Sequence, residues 1–308
     1  MESGLSFAKL PRGSLDALES GGIAIIGASE ASPYKPDKPS HSANAPSALR
    51  QASEKFAGQL RQFDFDLEAA LLGPNGETLG MVDCGDIPTD RNDAAGNRQR
   101  ITETTRRIVQ AGAVPVILGG DDSVPIPWFA GFEGDESFTV LQIDAHADWA
   151  DVLQGNPYGY GSTMRRAAEC PWVTGMVQVG TRGLGSGDAW QMDDARAWGS
   201  HLVTMRDVRR QGLAPAIAAI PEGSNVLISI DCDGLDPTVL PAVNMPTPGG
   251  LDYLDMMDLL TGVAARARIR GLAMVELVPE RDDPHGLSSL TAARLVAVTL
   301  GLILRGRL

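Results

Sequence analysis

The chain has 308 residues, 43% hydrophobic and 21% charged, which is enough apolar material for a substantial globular core. A net charge of −13 leaves no basic face to neutralise phosphates, so the composition excludes a nucleic-acid-binding role. The 3 cysteines, Cys84, Cys170 and Cys232, are far apart and lack CxxC spacing, which excludes a disulfide framework and suits reduced thiols in a cytoplasm.

Taken in chain order, residues 1–22 show no basic segment followed by an apolar run, so no secretory leader is expected. Residues 23–27 predict a first buried strand. The Gly27-Ala28-Ser29-Glu30 that follows lacks the further glycines of a nucleotide loop. Residues 28–48, rich in Pro, Ser, Lys and Asn, read as a long loop near the site. Further strands are predicted at 80–84, 114–118, 139–144, 176–180, 202–205, 226–231 and 271–277. Helices are predicted between them at 93–111, 162–168, 188–198 and 253–266, with a final helix at 288–304. The apolar run 295–304 is too short to span a bilayer, so it reads as a buried helix and no membrane role is expected. The strands are continuous apolar runs rather than alternating ones, as when helices cover both sheet faces. The pattern therefore predicts one α/β domain over residues 1–308 with a mostly parallel sheet and its chemistry at the carboxyl ends of the strands.

Acidic motifs fall at those ends. In Gly119-Gly120-Asp121-Asp122-Ser123 the glycines let the backbone turn off the strand, and the Asp pair either binds metal or caps a helix starting near Val124. Asp144, His146 and Asp148 stand at i, i+2 and i+4, so on one face of an extended segment, and point to a metal rather than to packing. Asp231 and Asp233 repeat the theme, with Cys232 turned toward the core. Strand ends gathering these carboxylates and an imidazole need cations, which suggests a dinuclear site. Glu276 ends the last strand and serves as a general base, as a grip on a cationic substrate, or as an ordinary paired Glu. Trp149 either belongs to the core or walls a pocket where a guanidinium could stack. Arg165-Arg166 reads as solvated surface or an intersubunit salt bridge ahead of an anion site. A Walker A loop and a Ser nucleophile elbow are both missing from the sequence.

Together, residues 119–123, 144–148, 229–237 and 276–279 resemble the GGDHS, DAHxD, SxDxDxxDP and ExxP motifs of the ureohydrolase superfamily, the arginases, agmatinases and related amidinohydrolases. The order and separations are similar, residues 82–86 and 248–251 also look like family segments, and the resemblance runs from Ile23 onward. It implies a three-layer α/β/α fold with two divalent ions, manganese first and nickel as the alternative. It implies Asp144 and Asp231 as bridges, His146 and Asp233 completing one site, and Asp148 and Asp122 completing the other. It implies Glu276 on the substrate guanidinium, and release of urea and an amine from a small cationic, agmatine-like or other guanidino substrate. Family members are commonly trimers or hexamers, so a homo-oligomer is expected, with a hetero-oligomer as the alternative.

Two positions depart from the motifs. The His of GGDHS is Asp122 here, and a later family His, a proton-shuttle candidate, aligns with Tyr160. With Asp122 as a ligand, five carboxylates (−5) face two divalent ions (+4), against −4 and +4 in the usual shell, which raises the pKa of bound water and favours hard cations. Tyr160, with an ordinary pKa of about 10, donates a proton but shuttles it less readily than an imidazole. Three readings follow: an active amidinohydrolase with a modified site, a weak or inactive subunit of a heteromer, and a hydrolase of another linear amidine.

Overall fold

The continuous apolar runs become strands buried on both faces. The computed structural model describes residues 5–35, 37–72 and 80–306. Eight strands form one sheet: β1 (Ile23–Ala28), β4 (Met81–Asp86), β5 (Val114–Gly119), β6 (Phe138–Ile143), β7 (Val173–Thr181), β8 (Ser200–Thr204), β9 (Asn225–Asp231) and β10 (Arg268–Val275). A separate antiparallel pair joins β2 (Phe63–Asp64) to β3 (Ala69–Ala70). The large sheet has the order β4-β1-β5-β10-β9-β6-β7-β8, and every pairing in it is parallel.

Helices cover both faces. Side chains alternate within a strand, so Ile23 and Ile25 join one core cluster while Ala24 and Ile26 join the other. The first cluster contains residues of α1 (Ala45–Ser53), α6 (Met205–Gln211), α7 (Ala214–Ala219), α8 (Tyr253–Arg266) and α9 (Leu287–Arg305). The second contains residues of α2 (Ala94–Gln110), α3 (Pro125–Ala130), α4 (Thr163–Ala168) and α5 (Ala189–Trp198). This is a three-layer α/β/α arrangement. The last helix, α9, matches the predicted 288–304 to within a residue at each end, and is apolar enough by length and composition to match a membrane span. Within the fold, 83% of that apolar window is buried, so it forms part of the core.

Among the boundaries that differ from the sequence reading, two have a clear local cause. Met205 opens α6 instead of closing β8, because Thr204 and Asp207 cap the helix reciprocally, Thr204 Oγ1 accepting from Asp207 N and Asp207 Oδ2 accepting from Thr204 N. The 28–48 loop ends early, since Pro46 in the first turn starts α1 at Ala45. Arg165 and Arg166 are tied locally, Arg165 to Asp194 and Arg166 to Asp151 and Glu169.

The sheet order matters most for the site. The four strands that carry acidic motifs at their carboxyl ends, β5, β10, β9 and β6, are contiguous in the middle of the sheet. Asp231 pairs in register with Val275, one residue before Glu276, and Ile230 pairs with Ile143, one residue before Asp144. Residues up to 154 positions apart in sequence therefore converge over one edge, as in the backbone N–H of Asp122 donating to Glu276 Oε1 at 2.9 Å.

Candidate metal centre and substrate cavity

Two triplets of ligand-type side chains meet at this edge. Asp144, His146 and Asp233 form one, and Asp122, Asp144 and Asp148 form the other, with donor atoms inside each triplet within 4.8 Å of one another. Asp144 belongs to both. His146 Nδ1 stands 3.4 Å from Asp144 Oδ1 and 3.3 Å from Asp233 Oδ2. Asp231 falls outside both triplets; it is buried at the end of β9, and its Oδ1 accepts the backbone N–H of Asp233 at 2.7 Å. Two site residues hold left-handed backbone conformations that are uncommon outside glycine, Asp148 at φ 45° and Glu276 at φ 63°. Such strain persists where surrounding structure over-determines it.

Burial and mutual repulsion dominate the electrostatics. Desolvation, followed by the charges of neighbouring carboxylates, holds Asp122, Asp148 and Asp231 well above the ordinary carboxylate range. Asp144 is raised in the same way, by desolvation and then by Asp233. Burial would lower the His146 imidazole, but its hydrogen bond to Asp233 and the acids around it push it up to about 9. One oxygen of this cluster, Asp122 Oδ2, is buried without a hydrogen-bond partner. An orphaned carboxylate oxygen beside three raised carboxyls and a cationic imidazole costs free energy unless positive charge enters. The donors present, carboxylate oxygens and one imidazole, suit hard divalent ions and so fit the pair that the motifs imply.

Side chains beyond the motifs hold the ligands. Gln142, on β6, donates through Nε2 to Asp144 Oδ2 at 2.7 Å and to Asp148 Oδ2 at 2.8 Å. Its Oε1 accepts from Gln178 Nε2 at 2.6 Å, and Gln178 Oε1 accepts from Ser200 Oγ at 2.7 Å. This buried chain crosses three neighbouring strands and fixes the two carboxylates from below. Arg182, half-buried, donates to the carbonyls of Asp233, Gly234, Leu235 and Thr247, which ties the Asp233 turn in place. The sequence reading missed both devices. Their one legible signal is a polar Gln inside otherwise apolar runs, at 142 and 178.

The remaining predicted residues divide. Glu276 is buried beside the acids, and Tyr160 is half-buried a short distance away. Asp121 neither joins the ligand triplets nor caps α3; it closes the local turn, accepting from Ser123 N at 3.1 Å and from Ser123 Oγ at 2.5 Å. Trp149 is a correction: it does not wall a substrate pocket. It is 1% exposed within the core, packs against Trp198, and donates its indole N–H to Asp194 at 2.8 Å. The left-handed turn at Asp148 sends the carboxylate and the following indole to different surroundings.

His41, read before only as part of a loop, reaches the site. Its Nε2 lies 2.5 Å from Glu276 Oε2, and its ring meets Tyr160 edge-on at 5.7 Å. Tyr160 in turn meets Tyr34 at 4.4 Å. His41, Tyr160 and Tyr34, with Lys35, Lys38 and Asp121, line a cavity of about 240 Å³.

A family model described as the Arginase family matches residues 23–301. An N(1)-aminopropylagmatine ureohydrolase of Thermus thermophilus is 34% identical over 232 residues, covering 75% of this chain and 76% of that protein. A guanidinobutyrase of Pseudomonas aeruginosa is 30% identical over 229 residues, covering 71% of this chain and 70% of that one. Among solved structures, proclavaminate amidino hydrolase of Streptomyces clavuligerus superposes with a TM-score of 0.80 at 24% identity, covering 98% of this chain and 97% of the other.

Proposed function

The chain belongs to the arginase family, and from that premise we propose that it hydrolyses a guanidino compound to urea and an amine at a centre of two divalent cations. It is a hydrolase of amidino C–N bonds; the substrate and the metal are the parts proposed. The observation that carries the reading is the convergence of Asp122, Asp144, His146, Asp148 and Asp233, with Asp231 beside them and Asp122 Oδ2 left unpartnered. Manganese suits this oxygen-rich set best, with nickel as the alternative. Asp122, Asp144, His146, Asp148 and Asp233 would hold the ions, with Asp144 common to both triplets and Asp231 beside them.

Bound cations would supply activated water at neutral pH, which a poorly electrophilic guanidinium carbon requires. The protein's own residues do the positioning. Glu276 offers a buried carboxylate to the guanidinium, oriented by the Asp122 N–H on its other oxygen. Gln142 holds Asp144 and Asp148 in fixed rotamers, so the site is organised before substrate arrives.

The far end of the substrate meets a different field. Lys35 and Lys38 stand exposed on the cavity wall. A tail ending in an ammonium group, as in agmatine, meets like charge there, whereas a carboxylate tail is attracted. That observation favours guanidino acids as the second substrate reading beside agmatine-like compounds. The test is urea release by manganese-loaded protein from a panel of guanidino amines, guanidino acids and linear amidines. Urea from at least one guanidino compound is expected. A metal-loaded protein that releases no urea from any of them contradicts the reading and points to the inactive-subunit alternative.

A further inference from the structure

The proton-carrying residue of the site is unaccounted for by its motifs, because Tyr160 stands where the motif pattern has a histidine. Burial and then the charge of Glu276 push the Tyr160 hydroxyl further up, which weakens it as a proton carrier near neutrality. Of the 4 histidines, His146 sits among the ligands, and His201 and His285 are exposed away from the cavity. The fourth, His41, comes from the loop between β1 and α1.

We infer that His41 is the general acid of this site: its Nε2–H rests on Glu276 Oε2 until a bound guanidinium takes that oxygen, and is then delivered to the departing nitrogen of the substrate, with Tyr160 supporting the edge of the ring. The inference rests on the proposed hydrolysis of a guanidino compound. Three geometric facts carry it. His41 Nε2 lies 2.5 Å from Glu276 Oε2, the carboxylate assigned to the guanidinium. The same imidazole lines the 240 Å³ cavity through which a substrate tail would leave. The tyrosine at the motif's histidine position touches the His41 ring rather than replacing it, with a centroid distance of 5.7 Å. The loop is also anchored on both sides of His41, Ser40 N donating to Glu30 at 3.3 Å and Asn44 Nδ2 donating to Glu280 at 2.5 Å.

The step balances with water alone. The water oxygen forms a bond to the guanidinium carbon, the bond from that carbon to the tail nitrogen breaks, and its electron pair stays on nitrogen. His41 Nε2 gives that nitrogen a proton and regains one as the former water O–H becomes the urea carbonyl. The other water proton passes to the same nitrogen, so the amine leaves as an ammonium that has gained one proton from His41 and one from the water, and His41 ends the turnover as it began. The groups facing His41 are Glu276, Asp121, Tyr160, Lys35, Lys38 and Arg281. Burial works against its protonated form, and Glu276 and Asp121 outweigh that, so the imidazole is raised from its ordinary value.

The test compares wild type with His41→Asn, His41→Ala and Tyr160→Phe, measuring kcat and KM across pH together with metal content and thermal unfolding. Loss of a general acid is expected to lower kcat by about 100-fold or more with KM changed by less than about threefold. Wild-type kcat should fall as pH rises through the imidazole pKa, because the acid form is the working one. That limb should vanish in His41→Asn, and added imidazole should restore part of the rate of His41→Ala. Metal content and unfolding temperature should stay at wild-type levels, and Tyr160→Phe should cost much less than His41→Asn. A rise in KM with kcat and the pH limb preserved overturns the inference, because His41 then only positions Glu276. An unchanged or higher kcat also overturns it, because His41 then only covers Glu276. If wild type itself releases no urea, the proposed function fails and the inference falls with it, a result distinct from active wild type with an indifferent His41→Asn.

Discussion

Asp122 stands where the family motif has histidine, and its chemistry can be tested by reversing it. An imidazole at 122 would remove one negative charge from the shell and lower the pKa of bound water. Asp122→His is therefore expected to shift the rising limb of the pH–rate profile to lower pH, measured as kcat/KM against pH. An unmoved limb would mean that Asp122 does not act on the activated water. Gln142 offers a second test at this scale. Replacing it with Leu removes two hydrogen bonds to ligand carboxylates, and the loss of such an outer partner costs roughly 10- to 100-fold in metal affinity. Calorimetric metal titration reads the effect directly. The ligand acids were legible in the sequence because i, i+2 spacing puts side chains on one face of a strand. Gln142, Gln178, Ser200 and Arg182 were not, since their partners lie on other strands or loops and no local pattern marks them. Trp149 misled because a neighbour in sequence is not a neighbour in space once Asp148 turns left-handed.

Strands were legible as elements because burial on both faces leaves a continuous apolar run, and eight such runs became the sheet. Short helices were harder. Helices α6 and α7 have 7 and 6 residues, under two turns, and α6 is set by its cap rather than by periodicity. The segment 28–48 was placed near the site, but nothing in its composition singled out His41, whose partner is 235 positions away. Helix α1 is joined to the sheet by a buried ion pair. Arg50 donates through Nε to Asp83 Oδ2 at 2.8 Å and through Nη2 to Asp83 Oδ1 at 3.0 Å, and a third bond reaches Asp86 at 2.5 Å. Asp83 is fully buried, so Arg50→Met would leave its charge only the long contact with Arg12 at 3.9 Å and should cost about 3 kcal/mol. Denaturant unfolding measures this, and a cost below about 1 kcal/mol would show the pair to be dispensable.

At the scale of the whole molecule, the site is an account of charge. Five carboxylates and one histidine from three strand ends, with Glu276 on a fourth, are brought together by the sheet order, and in the metal-free protein this must oppose folding. The carboxyls of Asp122, Asp144, Asp148 and Asp231 are all raised above their unfolded values. A group raised in the folded state contributes stability at low pH and loses it as pH rises. His146, pushed up to about 9, acts with the same sign. Metal-stripped protein is therefore expected to unfold at a lower temperature at about pH 8 than at about pH 6, while the metal-loaded form shows little of this slope. The homo-oligomer proposed from family habit, a trimer or hexamer, is checked by the mass in solution. The central claim, urea formation at a two-cation centre, is tested most directly by titrating metal-stripped protein with manganese while following urea release from its best guanidino substrate. The account predicts activity that rises with bound metal and saturates at about two equivalents per chain. Full activity without metal, or two bound equivalents with no urea, would contradict it.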